Sequence, residues 1–217
     1  MKDWDVERED PVLAAFARYS PVPVINLESA MHHPCQAMAD MMTIREKLGS
    51  EKKKVLLMWA WHPKPLPMAV PNSFALAAAQ FGHDLRIALP EGYELDDDLI
   101  VKIENCAVSN GGSVEFTNDV ETAFDEVDVV YAKSWGSKMY YGDFQGDVDY
   151  RAEFREKWIV DEAKMRRTRD AIFMHCLPVR RNVIVTDAVI DSAKSVVVDQ
   201  AENRLHMQKA ILTQLLK

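Results

Sequence analysis

Between residues 50 and 199 the chain repeats one pattern, a short apolar run of strand length followed by a stretch of helical character. The runs are VLLMWAW (55–61), LRIAL (85–89), SVEFT (113–117), VDVVYA (127–132), AIFM (171–174) and SVVV (195–198). Such segments are too short to cross a bilayer, and most keep no polar face for water. They need cover on both sides, and alternation with helices supplies it. The expectation is an α/β domain with a doubly wound parallel sheet over 50–199.

The flanks read differently. PVLAAFARY (11–19) suits a short helix with Pro11 at its start, and PVPVINL suits a strand entered through prolines. PCQAMADMMTIREKLG predicts a helix from Pro34 to Leu48 closed by Gly49, with Met38, Met41, Arg45 and Leu48 on one face. The final segment predicts an amphipathic helix over 199–216 carrying Leu205, Ile211, Leu212 and Leu215, with Asp199 and Glu202 as a capping box. No internal repeat or low-complexity segment interrupts these elements.

In an open α/β sheet, ligands bind beyond the carboxyl ends of the strands. Three such loops carry unusual residues: WAWHPKPLP after 55–61, AKSWGS after 127–132 and HCLPVRRN after 171–174. Each sets a cation or an imidazole beside a rigid or aromatic element, which suits a small anion. Singly, each has an ordinary explanation, since a strand-end histidine can cap carbonyls and a lone Lys or Arg is usually solvated. The helix entrance His33-Pro34-Cys35-Gln36 adds N–H groups and a helix dipole that favour a phosphate or a developing oxyanion.

Several chemistries lose support. No strand runs into a dinucleotide-type or P-loop glycine pattern. His32, His33 and Cys35 are too close in sequence to converge on a metal, so no metal is expected there. A nucleophilic Cys176–His175 pair is disfavoured because adjacent strand-end residues point to opposite sides. A formal charge of -8 argues against coating nucleic acid or an anionic membrane. The 3 cysteines, Cys35, Cys106 and Cys176, lie far apart, which fits a reducing cytoplasm.

HPCQ, FMHCLPVRRN and AENRLHMQKA, in this order and spacing, resemble the aspartate/ornithine carbamoyltransferase family, with the likeness running from about Val22 to the end. Within the family, HPKPLPMAVPNS and VYAKSW are similar to the N-acetylornithine and N-succinylornithine enzymes more than to the ordinary ornithine enzymes. The resemblance implies transfer of the carbamoyl group of carbamoyl phosphate to the δ-amine of an N-acylated ornithine, in arginine biosynthesis. It implies that His33, Pro34, Cys35, Gln36, Cys176, Leu177 and Arg204 contact carbamoyl phosphate, with His33 and Arg204 polarising its carbonyl. Glu28, His62, Lys133, Leu177 and Arg180 would hold the acylated ornithine, and Lys209 matches a lysine that can be carboxylated. A homotrimer is implied as well.

One departure from the family is the Ser-x-Arg-Thr phosphate loop, which does not occur. The resulting expectation assigns 1–49 to the tail of a carbamoyl-phosphate domain and an interdomain helix, 50–199 to the N-acylornithine domain, and 200–217 to a helix returning to the first. The helices at 34–48 and 199–216 would then expose apolar faces, and the chain alone would be inactive and aggregation-prone. Two alternatives stay open: an ordinary ornithine carbamoyltransferase, and a non-catalytic metabolite-binding module.

Overall fold

The computed structural model describes residues 3–216. Five strands, β1 (Lys54–Trp59), β2 (Asp84–Ala88), β3 (Ser113–Thr117), β4 (Val129–Lys133) and β5 (Ile172–Met174), form one parallel sheet in the order β3-β2-β1-β4-β5. This is the doubly wound arrangement expected, and it reverses direction between β1 and β4. Every residue of β1 after Lys54 and every residue of β4 is buried, as a sheet covered on both faces requires. The edge strand β3 is largely exposed or half-buried.

The helices are α1 (Trp4–Glu7), α2 (Pro11–Tyr19), α3 (Pro34–Leu48), α4 (Ala69–Gln80), α5 (Asp97–Ser109), α6 (Phe144–Arg151), α7 (Glu162–Met165), α8 (Asp187–Ile190) and α9 (Val197–Leu215). Contacts run α5 to α4, α4 to α3 and α3 to α9, while α5 meets β3, α4 meets β2 and β1, and α9 meets β5. These four helices form one layer that bridges the sheet from edge to edge. The helix α3 has both expected ends, because Pro34 needs no N–H partner at its first position and Gly49 takes φ +82 at its exit.

Three expectations change. Among the described residues no strand pairs with PVPVINL, since Pro21 and Pro23 lack an N–H, and Val22 and Val24 stay exposed. SVVV is not a sixth strand: Ser195 makes only an isolated bridge to Phe173, and Val197 already opens α9. The helix therefore starts without a side-chain cap, and Asp199 pairs with Lys47 instead of capping. Burying Val196 and Val197 against the core overrides the β preference of three consecutive valines.

Of the two helices expected to expose apolar faces, the C-terminal one does and α3 does not. On α3 the residues Cys35, Ala37, Ala39, Met41 and Ile44 are all buried under α4 and α9. Leu205, Leu212 and Leu215 on the distal part of α9 are exposed, as expected, and Val12, Phe16 and Tyr19 of α2 join them.

Candidate functional site

The register places Trp59, the end of β1, opposite Lys133, the end of β4. The chain leaving these strands, with the chain leaving β5, forms a cavity of about 490 Å³ at the point where the strand order reverses. Glu28, His33, Gln36, His62, Lys133, Cys176, Leu177, Arg180 and Arg204 all line it. One site thus gathers residues from α3, α9, the chain before α3 and three strand-end loops. A second cavity of about 530 Å³ adjoins it through Glu28, Leu66 and Pro67.

His33 caps the start of α3, with its own N–H donating to Ser73 Oγ at 2.7 Å and its Nδ1 buried without a partner. Burial, helped by the positive charge of Arg204, pushes its pKa down to about 4. The ring is therefore neutral near pH 7 and can donate one N–H without adding charge. Arg204 also keeps Nε buried and unpartnered. The helix entrance itself offers fewer N–H groups than expected, because those of Gln36 and Ala37 both turn back onto the His33 carbonyl.

On the opposite side, His62 Nδ1 lies 2.9 Å from the Lys64 carbonyl oxygen, which leaves Nε2 for the cavity. Its pKa is lowered by burial, partly offset by the Lys64 backbone, with Arg180, Arg151 and Lys133 adding like charge. Two loops meet tightly here. Gly136 donates to Leu66 O at 2.9 Å, and a Cβ on Gly136 would stand 3.0 Å from Pro65 Cβ. Arg151, fully buried on α6, fastens both loops by donating to the carbonyls of His62 (3.1 Å), Lys64 (2.8 Å) and Trp135 (3.1 Å).

After β5, the Leu177 N–H donates to His175 Nδ1 at 3.0 Å, and burial drives the His175 pKa down to about 3. The ring is neutral with its proton on Nε2, which is buried and has no partner. Burial also raises the Cys176 pKa. Cys176 is consequently a protonated thiol beside an imidazole whose basic nitrogen is already engaged, which is no nucleophile pair.

Some expected residues fall outside the cavity. Pro34 and Cys35 do not line it; Cys35 is fully buried, with Sγ 3.6 Å from Asn26 O. Lys209 is exposed on α9, five residues past Arg204 and so about 140° around the helix. It does not line this cavity. Sequence reading missed His175, Pro178, Val179, Val70 and Ile184, which also line the cavity. His175 and its neighbours sit inside a motif that had been noticed, whereas Val70 and Ile184 carry no chemical signal.

With Lys133, Arg180 and Arg204 against a single carboxylate, Glu28, and three uncharged imidazoles, the cavity is built for a ligand of net negative charge. Neutral N–H groups and an amide beside the cations suit a polar carbonyl compound. Among the described residues no cluster of His, Cys, Asp and Glu could hold a metal ion, and no helix is long and apolar enough to cross a membrane.

Residues 66–215 match the family described as aspartate/ornithine carbamoyltransferase, Asp/Orn binding domain, and residues 1–46 match its carbamoyl-P binding domain. The chain is 44% identical over 217 residues to the N-acetylornithine carbamoyltransferase of Xanthomonas axonopodis pv. citri, covering 98% of this chain and 63% of that protein. It is 40% identical over 216 residues to the N-succinylornithine carbamoyltransferase of Bacteroides thetaiotaomicron, covering 100% of this chain and 63% of that protein. The fold overlays a crystal structure of acetylornithine transcarbamylase complexed with acetylcitrulline at a TM-score of 0.95 and 43% identity, over 98% of this chain and 64% of that one. The chain thus spans somewhat less than two thirds of the length of these relatives.

Proposed function

Because the chain belongs to the aspartate/ornithine carbamoyltransferase family, we propose that its cavity serves carbamoyl transfer from carbamoyl phosphate to the δ-amine of N-acetylornithine or N-succinylornithine. The observation that carries this is the convergence of His33, Gln36, His62, Lys133, Cys176, Arg180 and Arg204 on one cavity beyond β1, β4 and β5. In the proposal, His33 and Arg204 donate to the carbamoyl oxygen as negative charge gathers on it, and Gln36, Cys176 and Leu177 surround the amide. Pro34 and Cys35 serve only as the frame of that helix entrance.

Lys133, His62, Arg180, Leu177 and Glu28 hold the acylated ornithine, so that its neutral δ-amine faces the carbamoyl carbon. The new C–N bond forms as the carbamoyl C–O bond to phosphate breaks, and the nitrogen's surplus proton leaves with phosphate or water. An N-acylcitrulline results. The site's contribution is orientation and charge complementarity, both sensitive to small loop displacements. The step belongs to arginine formation, in a cytoplasmic homotrimer; these parts rest on family likeness, and sedimentation tests the trimer. Residues 1–49 and 200–217 then belong with the carbamoyl-phosphate side and 50–199 with the acylornithine side.

Between the two acyl groups, Arg180 beside His62 favours succinyl, because a second cation at that end suits an additional carboxylate. Titrating the chain with N-acetylcitrulline, N-succinylcitrulline and citrulline tests the reading. Binding of an N-acyl form, weakened about tenfold or more by Lys133→Met through loss of a charge-assisted hydrogen bond, is the expected result. Preference for plain citrulline would favour an ordinary ornithine enzyme, and binding of none of the three would remove the proposal.

A further inference from the structure

Behind the cavity lies a buried acid that the proposed chemistry does not use. Asp40 is fully buried, one turn along α3 from Gln36. Its Oδ1 accepts from two amides, Gln36 Nε2 and Gln200 Nε2, each at 2.7 Å. Gln200 also accepts the His175 backbone N–H on its Oε1 at 3.0 Å, so its amide is held from both ends. An ionised carboxylate can only accept, and therefore takes only the nitrogen end of an amide. Gln36 is left with one orientation, nitrogen inward on Asp40 and oxygen outward. That oxygen is buried, has no partner, and belongs to a side chain lining the cavity.

We propose that Asp40 is a positioning residue that fixes the polarity of Gln36, so that the cavity presents an acceptor and selects an acyl phosphate bearing N–H on its carbonyl carbon over one bearing a methyl. The inference rests on the carbamoyl-transfer reading and extends it. A glutamine alone does not discriminate, because its amide can turn either end to a ligand; the acid behind it removes the choice. Tyr131 of β4, Cys176 after β5 and Arg204 of α9 also face the carboxyl group; burial raises its pKa, while the Gln36 and Gln200 amides and the Arg204 charge favour the ionised, accept-only form that prevails as pH rises. Acetyl phosphate matches carbamoyl phosphate in shape and charge but offers Gln36 no hydrogen, so it is the natural comparison.

The test uses the whole chain and its Asp40→Asn variant, titrated by NMR with carbamoyl phosphate, acetyl phosphate and inorganic phosphate. Gln36 amide signals are assigned by their disappearance in Gln36→Glu. The wild type is expected to prefer carbamoyl over acetyl phosphate, with Gln36 amide protons that exchange slowly. In Asp40→Asn that preference falls by about tenfold, the scale of one buried hydrogen bond, and the amide exchanges faster, while inorganic phosphate binds as before. A merely structural role would weaken all three ligands together. An unchanged preference in a folded variant overturns the proposal, as does fast Gln36 amide exchange in the wild type, which needs no variant. Binding of neither acyl phosphate by the wild type removes the carbamoyl reading and the selectivity with it, whereas slow amide exchange in that case would leave the anchoring of Gln36 standing.

Discussion

Two fully buried charged side chains, Arg151 and Asp40, organise opposite sides of the same cavity, and they are partnered in different ways. Arg151 is saturated. Its donors reach Asp147, three backbone carbonyls and, at 3.5 Å, Ser134, and its guanidinium lies over the rings of Trp59 and Tyr93 at 5.7 and 5.5 Å. Asp40 sits in a network with loose ends: its own Oδ2, Gln36 Oε1 and the Tyr131 hydroxyl are buried without partners. A saturated hub fixes backbone, since every bond it makes is made once at folding. An unsaturated hub leaves polar atoms whose desolvation is not yet offset, and a ligand can supply the missing partners. The first kind builds the scaffold on which His62 and Lys133 stand; the second tunes what Gln36 shows to the cavity.

The sharpest way to break the contrast is Arg151→Met. Removing the guanidinium strands the Asp147 carboxylate in the interior with only the Tyr93 hydroxyl and the Ser137 N–H, and takes a donor from three backbone carbonyls, of which Trp135 O keeps the Trp59 indole N–H. A loss of about 3–5 kcal/mol is expected, the usual result of leaving one partner of a buried pair alone, read from urea denaturation midpoints. Adding Asp147→Leu should return part of it. The same Arg151 substitution should raise the His62 pKa toward its ordinary value, since one of the like charges opposing its protonation is gone, although burial remains the main cause of the depression. An NMR titration of the His62 ring reads this, and no upward movement would mean that Arg151 does not act on His62 electrostatically.

Asp40→Asn should act more gently and through pH. Burial raises the Asp40 pKa to about 7, against opposing hydrogen bonds from Gln36 and Gln200, the nearby Tyr131 hydroxyl and the Arg204 charge. From the ordinary carboxylate range near 4 up to about 7, the folded chain holds a proton that the unfolded chain has already lost. Stability therefore falls as pH rises through that window and is level above it. Denaturation at a series of pH values should show this slope in the wild type and its absence in Asp40→Asn; identical slopes would place the acid's titration elsewhere.

Neither hub was legible in the sequence. Gln36 and Asp40, like Asp147 and Arg151, are spaced i,i+4 on helices, a pattern that usually marks a solvated face. What buries them is remote: Gln200 reaches Asp40 across 160 positions, and Arg151 reaches His62 across 89. A signal was present for Asp40, a lone acid in the apolar stretch AMADMMTI, but nothing local says whether such an acid is buried or exposed. The strands were readable to within one or two residues because a doubly covered sheet leaves uniformly apolar runs. The three strand-end loops of the cavity were readable because strand ends concentrate imidazoles and cations where a core has no use for them, whereas Glu28 and Arg204 came only from the family resemblance. Errors arose where local preference met tertiary demand, as in the valines at 196–198.

The smallest effect should come from the exposed counterpart of the Asp40 hub. Lys47 and Asp199 join the same two helices, α3 and α9, at 2.7 Å, yet both side chains keep more than a third of their surface in water. Water and salt screen such a pair, and holding two flexible side chains together costs entropy that offsets the attraction. Lys47→Ala should thus cost no more than about 1 kcal/mol, and the cost should vanish in high salt. The Asp40 contribution, shielded from solvent, should persist there. Measured side by side in low and high salt, the two substitutions separate burial from mere ion pairing as the source of what holds α9 against α3. If Lys47→Ala proved the more damaging, the helix pair would be fastened at its rim, and the interior network around Asp40 would be free to serve the ligand alone.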